Sequence, residues 1–397
     1  MDSPAAKADD SAPTTRPAVR WQQHGAERQA RWRSERDAAP PRHVITADDT
    51  LSADAAFRLA NAGTALLWQG DFHNARQLLL ALARRADRVP RRKARAAPET
   101  AEDGPGAAFH RHRQAQAQRA RVLAMLLIPI AGDHTVALRR APDHRAALQA
   151  VWGAPDGQAA ATPLREWLGL VSAHEWRKKG VPIAALQDRI HPHHGVFSPL
   201  RGEYVDLVAG APLPAGAPGG AFDIGTGTGV LAAVLARRGV QPVIATELDP
   251  RALACAHDNI ARLGLGHSVQ LQQADLFPPG RAALIVCNPP WLPARAGSAI
   301  ERAVYDEDSR MLRGFLAGLA GHLLPGGEGW LILSDLAEHL GLRPREQLLR
   351  WIADAGLVVL GRIDTRPQHP KAQDPGDPLH AARSLEITSL WRLGALS

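Results

Sequence analysis

From residue 221 the chain alternates short apolar runs with helical stretches, and the first run ends in Asp223-Ile224-Gly225-Thr226-Gly227-Thr228-Gly229. Alternation of this kind predicts a doubly wound, mostly parallel sheet with helices on both faces. The predicted strands are 221–224, 242–247, 269–274, 283–287, 329–334, 358–364 and 384–391, with a helix after each of the first five. The last two have only a Pro-rich stretch between them, residues 366–378, and predict an antiparallel hairpin. The fold class is therefore α/β, a Rossmann-like seven-stranded sheet ending in that hairpin. The glycines sit at a strand-to-helix turn, where the lack of a Cβ permits a tight bend and close approach of backbone to a ligand. A nicotinamide fingerprint, counted from Gly225, needs its third glycine at position 230, and Val230 stands there. That spacing argues against NAD and for a different nucleoside.

In open parallel sheets, ligands bind beyond the carboxyl ends of the strands. Asp223 precedes the glycine turn, placed to accept from a ligand amino group and to hold the glycines. Glu247 closes the second strand, where an acid can take both ribose hydroxyls. Asp275 closes the third, placed to accept from an adenine amino group, with Leu276 or Phe277 against the ring. The fourth strand runs into Asn288-Pro289-Pro290-Trp291. The lone pair of an amide or exocyclic amine nitrogen is delocalised. Two acceptors aimed at its N–H groups, the Asn288 side-chain oxygen and the Pro289 carbonyl, orient that lone pair and absorb developing charge. The prolines stiffen the backbone, and Trp291 offers a flat face to a planar group.

These residues resemble the class I methyltransferases, and within them the methyltransferase small group, which includes release-factor glutamine methyltransferases and adenine-N6 methyltransferases. The resemblance covers about Gly195 to Trp391. It implies S-adenosylmethionine as cofactor, with Gly225, Thr226, Gly227, Thr228, Gly229, Glu247, Asp275 and Asn288 touching cofactor or substrate, and a sheet with one antiparallel strand. Val196-Phe197-Ser198-Pro199 takes the place of the extended Ile-Pro segment of the glutamine enzymes. Two departures bear on substrate. Trp291 replaces their tyrosine, and residues 294–310 match no substrate loop of the family. The expected reaction is methylation of a planar nitrogen on a macromolecule, a protein glutamine side chain first. The alternatives are an exocyclic base amine in RNA or DNA (adenine N6 or guanine N2), or a non-catalytic RNA-binding scaffold. No metal is needed, because a sulfonium is a good leaving group and in-line placement supplies much of the rate.

A chain of 397 residues usually holds more than one domain. Residues 1–45 are rich in Ala, Pro, Arg, Asp and Ser and read as a disordered tail. Residues 46–195 read as a helical substrate-recognition domain, and 196–397 as the transferase domain. Within the helical part, Phe57, Ala60, Ala65 and Leu67 belong to one amphipathic stretch. The run from Val122 to Ala131 reads as a buried helix, too short to span a membrane. Thr162 and Pro163 read as the cap and first residue of another helix that continues to about Ile190, and residues 89–108 as a flexible loop. Residues 1–150 carry 24 Lys+Arg against 16 Asp+Glu, and residues 151–397 carry 23 against 24. The basic surplus is therefore N-terminal, compatible with a nucleic-acid partner. Five of the 47 basic residues are lysine, however, which points instead to genomic composition. Cys255 and Cys287 lack disulfide or metal spacing, and the N-terminus lacks an apolar signal core, so a cytoplasmic location is expected. His191, His193 and His194 lack further metal ligands nearby in sequence and read as a loop. Tyr305, Asp306, Asp308 and Arg310 read as a solvated loop or lid after the Asn-Pro-Pro-Trp string, and the Arg88–Arg95 run as a solvated basic segment. The sequence leaves the oligomeric state open.

Overall fold

A computed structural model describes residues 17–96, 104–199, 202–367 and 374–396. The chain divides into two compact units, Met1–Arg88 with Arg119–Leu168, and Val89–Gln118 with Gly169–Ser397.

The first unit is built on a six-stranded mixed sheet, which corrects the expectation of a helical domain. Its elements are β1 (Ala18–Gln23), β2 (Ala26–Trp32), β3 (His43–Ala47), α1 (Ala53–Asn61), β4 (Thr64–Trp68), α2 (Phe72–Ala96), α3 (Pro105–Leu123), β5 (Leu126–Ile130), α4 (Arg145–Trp152) and β6 (Ala160–Pro163). Of these, α2 runs on past the unit's boundary at Arg88 and α3 begins before its boundary at Arg119. The sheet order is β1-β2-β6-β5-β4-β3. Of the expected disordered tail, residues 1–16 lie outside the described residues, and the rest supplies three strands. β1 and β2 form a hairpin through His24 and Gly25, both at positive φ, the turn that matches strand twist. Their polar residues alternate with few apolar ones, such as buried Val19, so composition alone reads them as disorder.

β4 and β5 are apolar nearly throughout because neighbours cover both faces. A short continuous apolar run has no period that separates a buried strand from a buried helix. That is why Val122–Ala131 reads as helix, although the chain enters β5 at Leu126. The stretch containing Phe57 and Leu67 is split by Gly63 (φ +90°), which ends α1 and starts the turn into β4. The expected loop over 89–108 is helical at both ends. α2 carries the basic run Arg88–Arg95 to Ala96, and Pro105 opens α3; residues 97–103 lie outside the described residues.

Thr162 and Pro163 end β6 rather than capping a helix, and α5 (Leu164–Lys179) starts just after them. Gly180 (φ +69°) stops α5, so the helix does not continue to Ile190. A small antiparallel pair, β7 (Val181–Ile183) and β8 (Asp188–Ile190), follows instead.

In the second unit α6 (Glu203–Gly210) leads into β9 (Ala221–Ile224), α7 (Val230–Arg237), β10 (Val243–Glu247), α8 (Pro250–Arg262), β11 (Val269–Gln273) and β12 (Ala282–Cys287). Then come α9 (Arg310–His322), β13 (Leu323–Ser334), α10 (Leu336–His339), α11 (Arg345–Asp354), β14 (Leu357–Thr365), α12 (His380–Arg383) and β15 (Thr388–Ala395). The seven-stranded sheet has the order β11-β10-β9-β12-β13-β15-β14, with β15 antiparallel to both neighbours. No helix follows β11, contrary to expectation: Pro278, Pro279 and Gly280 occupy the short link to β12.

Both faces of this sheet are buried. Leu284, Val286, Trp330 and Ile332 pack into one layer with α6 and α7. Phe222, Ile224, Ile285, Cys287 and Leu331 pack into the other with α9 and α11. Successive strand residues thus point to opposite layers. No helix among the described residues is long and apolar enough to cross a membrane.

Candidate active site

The strand order reverses between β9 and β12. β10 and β11 lie on one side of β9, and the chain then crosses to β12 on its other side. Such a switch point opens a crevice beyond the strand ends. Register sets what lies there. Cys287 is paired with Ile224, so Asn288 and Gly225 leave adjacent strands at the same level.

The glycine turn follows from backbone need. Gly225, Gly227 and Gly229 have φ of +71°, +57° and +81°, conformations that L-residues with a side chain rarely adopt. A Cβ on Gly225 would overlap the Met311 methyl, and one on Gly229 would touch Ala256 of α8. Asp223 is buried beneath the turn, and its Oδ2 accepts from Thr226 Oγ1 (2.6 Å) and from the Ala232 amide (3.0 Å). Burial pushes its carboxyl up to about 6, against the pull of those two donors, and the Glu247 charge adds to the rise. Glu247 Oε2 accepts from the Gly227 amide (3.0 Å), while Oε1 accepts from the amides of Leu248 and Asp249. The acid at the end of β10 therefore ties the glycine turn to its own strand, a role the sequence did not suggest for it.

Asp275 lies at the end of β11 and pairs with Arg310 at the start of α9. Leu276 adopts φ +75°, and its carbonyl accepts from Thr246 Oγ1 (2.6 Å). Leu276 and Phe277 both pack on α9, over Gly314 and Gly318 one turn apart. The Phe277 ring stacks on His322 (4.3 Å between centroids) and on Phe315. Phe277 is thus taken up by helix packing, and Leu276 borders the same turn.

Asn288, Pro289, Pro290 and Trp291 follow β12 directly. Asn288 Oδ1 accepts from Trp291 Nε1 (2.9 Å), and the Pro289 carbonyl accepts no hydrogen bond among the described residues. The chain then folds back. Leu292 exchanges backbone hydrogen bonds with Val304 and Asp306, which brings the expected lid against the Asn-Pro-Pro-Trp string. Asp306 Oδ2 accepts from the Met311 and Leu312 amides at the start of α9, and burial raises its carboxyl above the usual range. Tyr305 lies beneath the Arg113 guanidinium (3.9 Å) and beside Phe109, both from α3. Arg113 also donates to the Arg295 carbonyl (2.6 Å). Tyr305 and Asp306 are therefore packed and bonded rather than solvated, while Asp308 and Arg310 are exposed.

Sequence reasoning missed Met311, Arg343 and Asn259. Arg343 is buried, with Nη2 3.4 Å from the Trp291 carbonyl and Nη1 3.5 Å from Ser309 Oγ; burial brings it down to about 10. Asn259, fully buried on α8, donates to the Thr228 carbonyl (3.0 Å) and accepts from the His191 amide (2.8 Å). It ties the segment before the sheet to the glycine turn. The only sequence signal for it was a polar residue on the apolar stripe of α8. Among the histidines of that segment, His193 Nε2 lies 2.9 Å from Asp258, which Arg177 also engages (2.8 Å). Cys287 is core, and burial holds its thiol well above the ordinary range.

Residues 188–344 match the family model for the methyltransferase small domain. The release factor glutamine methyltransferase of Cereibacter sphaeroides is 37% identical over 149 residues, covering 36% of this chain and 50% of that protein. A ribosomal protein L11 methyltransferase of Pelotomaculum thermopropionicum is 32% identical, covering 34% of this chain and 43% of that one. A tRNA1(Val) (adenine(37)-N6)-methyltransferase of Bacteroides fragilis is 30% identical, covering 36% of this chain and 67% of that one. The chain spans about half the length of the first two curated relatives it matches, both release factor glutamine methyltransferases.

Proposed function

The chain belongs to the methyltransferase small domain family, and we propose that it transfers a methyl group from S-adenosylmethionine to a planar nitrogen of a macromolecule, in the first place a protein glutamine side chain. The observation that carries this reading is the register of β12 on β9, which sets Asn288 beside the glycine turn at the switch point.

In this reading the cofactor lies over Gly225 to Gly229. Asp223 Oδ1 accepts from its amino group, directly or through water, while Oδ2 holds the Thr226 hydroxyl and the Ala232 amide. Glu247 faces the ribose, and Asp275 with Leu276 faces the adenine. Asn288 Oδ1 and the Pro289 carbonyl accept from the two N–H groups of the acceptor amide and turn its lone pair toward the methyl carbon. S-adenosylmethionine, when bound, would supply a methyl on a sulfonium whose sulfur leaves with the electron pair as the acceptor nitrogen takes the methyl. The amide then loses a proton to solvent. Asn288 supplies stabilisation where charge develops, and the rest is placement.

Substrate recognition by residues 46–195 is part of the same proposal. Protein is favoured over nucleic acid because many basic side chains of the first unit are neutralised locally. Asp71 engages Arg139 and Arg140, Asp54 engages Arg85, Asp87 engages Arg119, and Asp156 engages Arg31. A cytoplasmic location belongs to the same reading and is supported by two buried free thiols, Cys255 and Cys287.

The test is transfer of tritiated methyl from S-adenosylmethionine into an extract of a strain lacking the gene, followed by separate protease and nuclease digestion. Label released by protease alone supports the glutamine reading. Label released by nuclease alone replaces it with a base amine. No label in either fraction, with no cofactor bound in calorimetry, leaves only the non-catalytic scaffold.

A further inference from the structure

Trp291 stands where the glutamine enzymes carry a tyrosine, and in this chain its indole is a fixed hydrogen-bond donor. Nε1 donates to Asn288 Oδ1 over 2.9 Å. An indole nitrogen only donates, so this bond determines which end of the Asn288 amide is oxygen. Half-buried Trp291 packs against the cores of both layers of the sheet. Its carbonyl is within 3.4 Å of buried Arg343. Packing against both layers, the Nε1 bond and the Arg343 contact at its backbone together hold the side chain in place.

An amide oxygen has two acceptor sites. With the indole on one, the second is left for the acceptor nitrogen's N–H. Without the indole, the amide of Asn288 can turn over and present its own NH2 group, which repels a substrate N–H.

We propose that Trp291 is a positioning residue, whose N–H locks the Asn288 amide with its oxygen toward the acceptor nitrogen. The inference rests on the reading of Asn288 as the methyl-acceptor clamp. It explains a tryptophan at this position by its donor, where the sequence suggested its flat face.

The test uses the full chain with Trp291→Phe, which keeps an aromatic ring and removes the N–H. A second variant carries benzothienylalanine at position 291, which keeps the bicyclic shape and replaces the N–H by sulfur. The readouts are S-adenosylmethionine affinity by calorimetry, the initial rate of tritiated methyl incorporation into the extract at saturating cofactor, and the side-chain amide resonances of Asn288. We expect cofactor affinity within about twofold of wild type and a rate lowered about tenfold in both variants, the scale of one lost hydrogen bond. The Asn288 amide signals shift in both. A rate within about twofold of wild type in the benzothienyl variant, with cofactor binding intact, overturns the proposal even if the phenylalanine variant fails to fold. A wild-type chain that binds no cofactor and transfers no methyl would sink the proposed function instead. The Asn288 amide signals then decide the lock alone: unchanged in the benzothienyl variant they overturn it, and shifted they support it.

Discussion

Asn288 and Asp223 act at the same switch point but predict opposite signatures. In the proposed reaction Asn288 contacts the acceptor, so Asn288→Ala should leave cofactor affinity nearly unchanged and lower turnover by roughly 10²-fold, the scale of one lost charge-stabilising contact. Unchanged turnover would remove it from the mechanism. In the same proposal Asp223 holds the cofactor's amino group, and burial pushes its carboxyl up to about 6. The ionised form is the one that attracts an ammonium group. Affinity for S-adenosylmethionine, measured by calorimetry between about pH 5 and 8, should therefore fall as pH drops through about 6, and Asp223→Asn should give weak, nearly flat binding. Stability has the reverse sign. The folded-state value lies above the ordinary 3.8, so the folded state holds a proton more readily than the unfolded chain. The cost of the buried charge is present above about pH 6 and is relieved as pH falls toward 4. Asp223→Asn should accordingly resist denaturant at least as well as wild type at about pH 7. The place of both residues at the ends of adjacent strands was legible in the sequence, because the Gly-x-Gly and Pro-Pro that follow them end each strand. Trp291 was legible as a flat ring; its donor role was not, since that depends on where the Asn288 side chain turns.

At the level of elements, the site is held by what α9 does to two turns. Met311 lies over Gly225, and Gly314 and Gly318 seat Leu276 and Phe277 from the turn after β11. Gly225→Ala combines a positive φ with overlap on Met311. We expect it to weaken cofactor binding at least tenfold and to cost about 1–3 kcal/mol of stability in chemical denaturation. In Gly318→Ala the new methyl would lie 2.5 Å from the Phe277 ring. It should shift the Asp275 turn and reduce cofactor affinity more than it reduces turnover at saturation. Equal effects on both would mean that the turn does not face the cofactor. None of this was readable from sequence. Gly314 and Gly318 look there like weak points in a helix, and their reason is two side chains that arrive from about 40 residues earlier in the chain.

For the whole molecule, division into two compact units predicts two separable unfolding events. Leu127→Ala, in the fully buried middle of the first sheet, should lower one transition by about 2–5 kcal/mol. Saturating S-adenosylmethionine should raise only the other, by about 2.7 kcal/mol at a hundredfold excess over Kd. Cofactor that raises both transitions equally would join the units into one cooperative body. The second unit was legible because its strands and helices differ in period and are separated by Gly and Pro. The first was not. Its central strands β4, β5 and β6 are rich in Ala or Leu, residues that favour helix when nothing else decides, and its hairpin has too few apolar residues to stand out from a tail. By itself, the sequence determined the doubly wound sheet, the glycine turn and the string that closes β12, because those features rest on local backbone geometry: positive φ, missing donors and alternation of side chains. Only the tertiary structure decided that residues 18–163 contain a sheet, that Arg343 and Asn259 hold the site's loops, and that the Trp291 indole points at Asn288. Those outcomes depend on which surfaces meet, and contact between residues distant in the chain leaves no period or spacing behind.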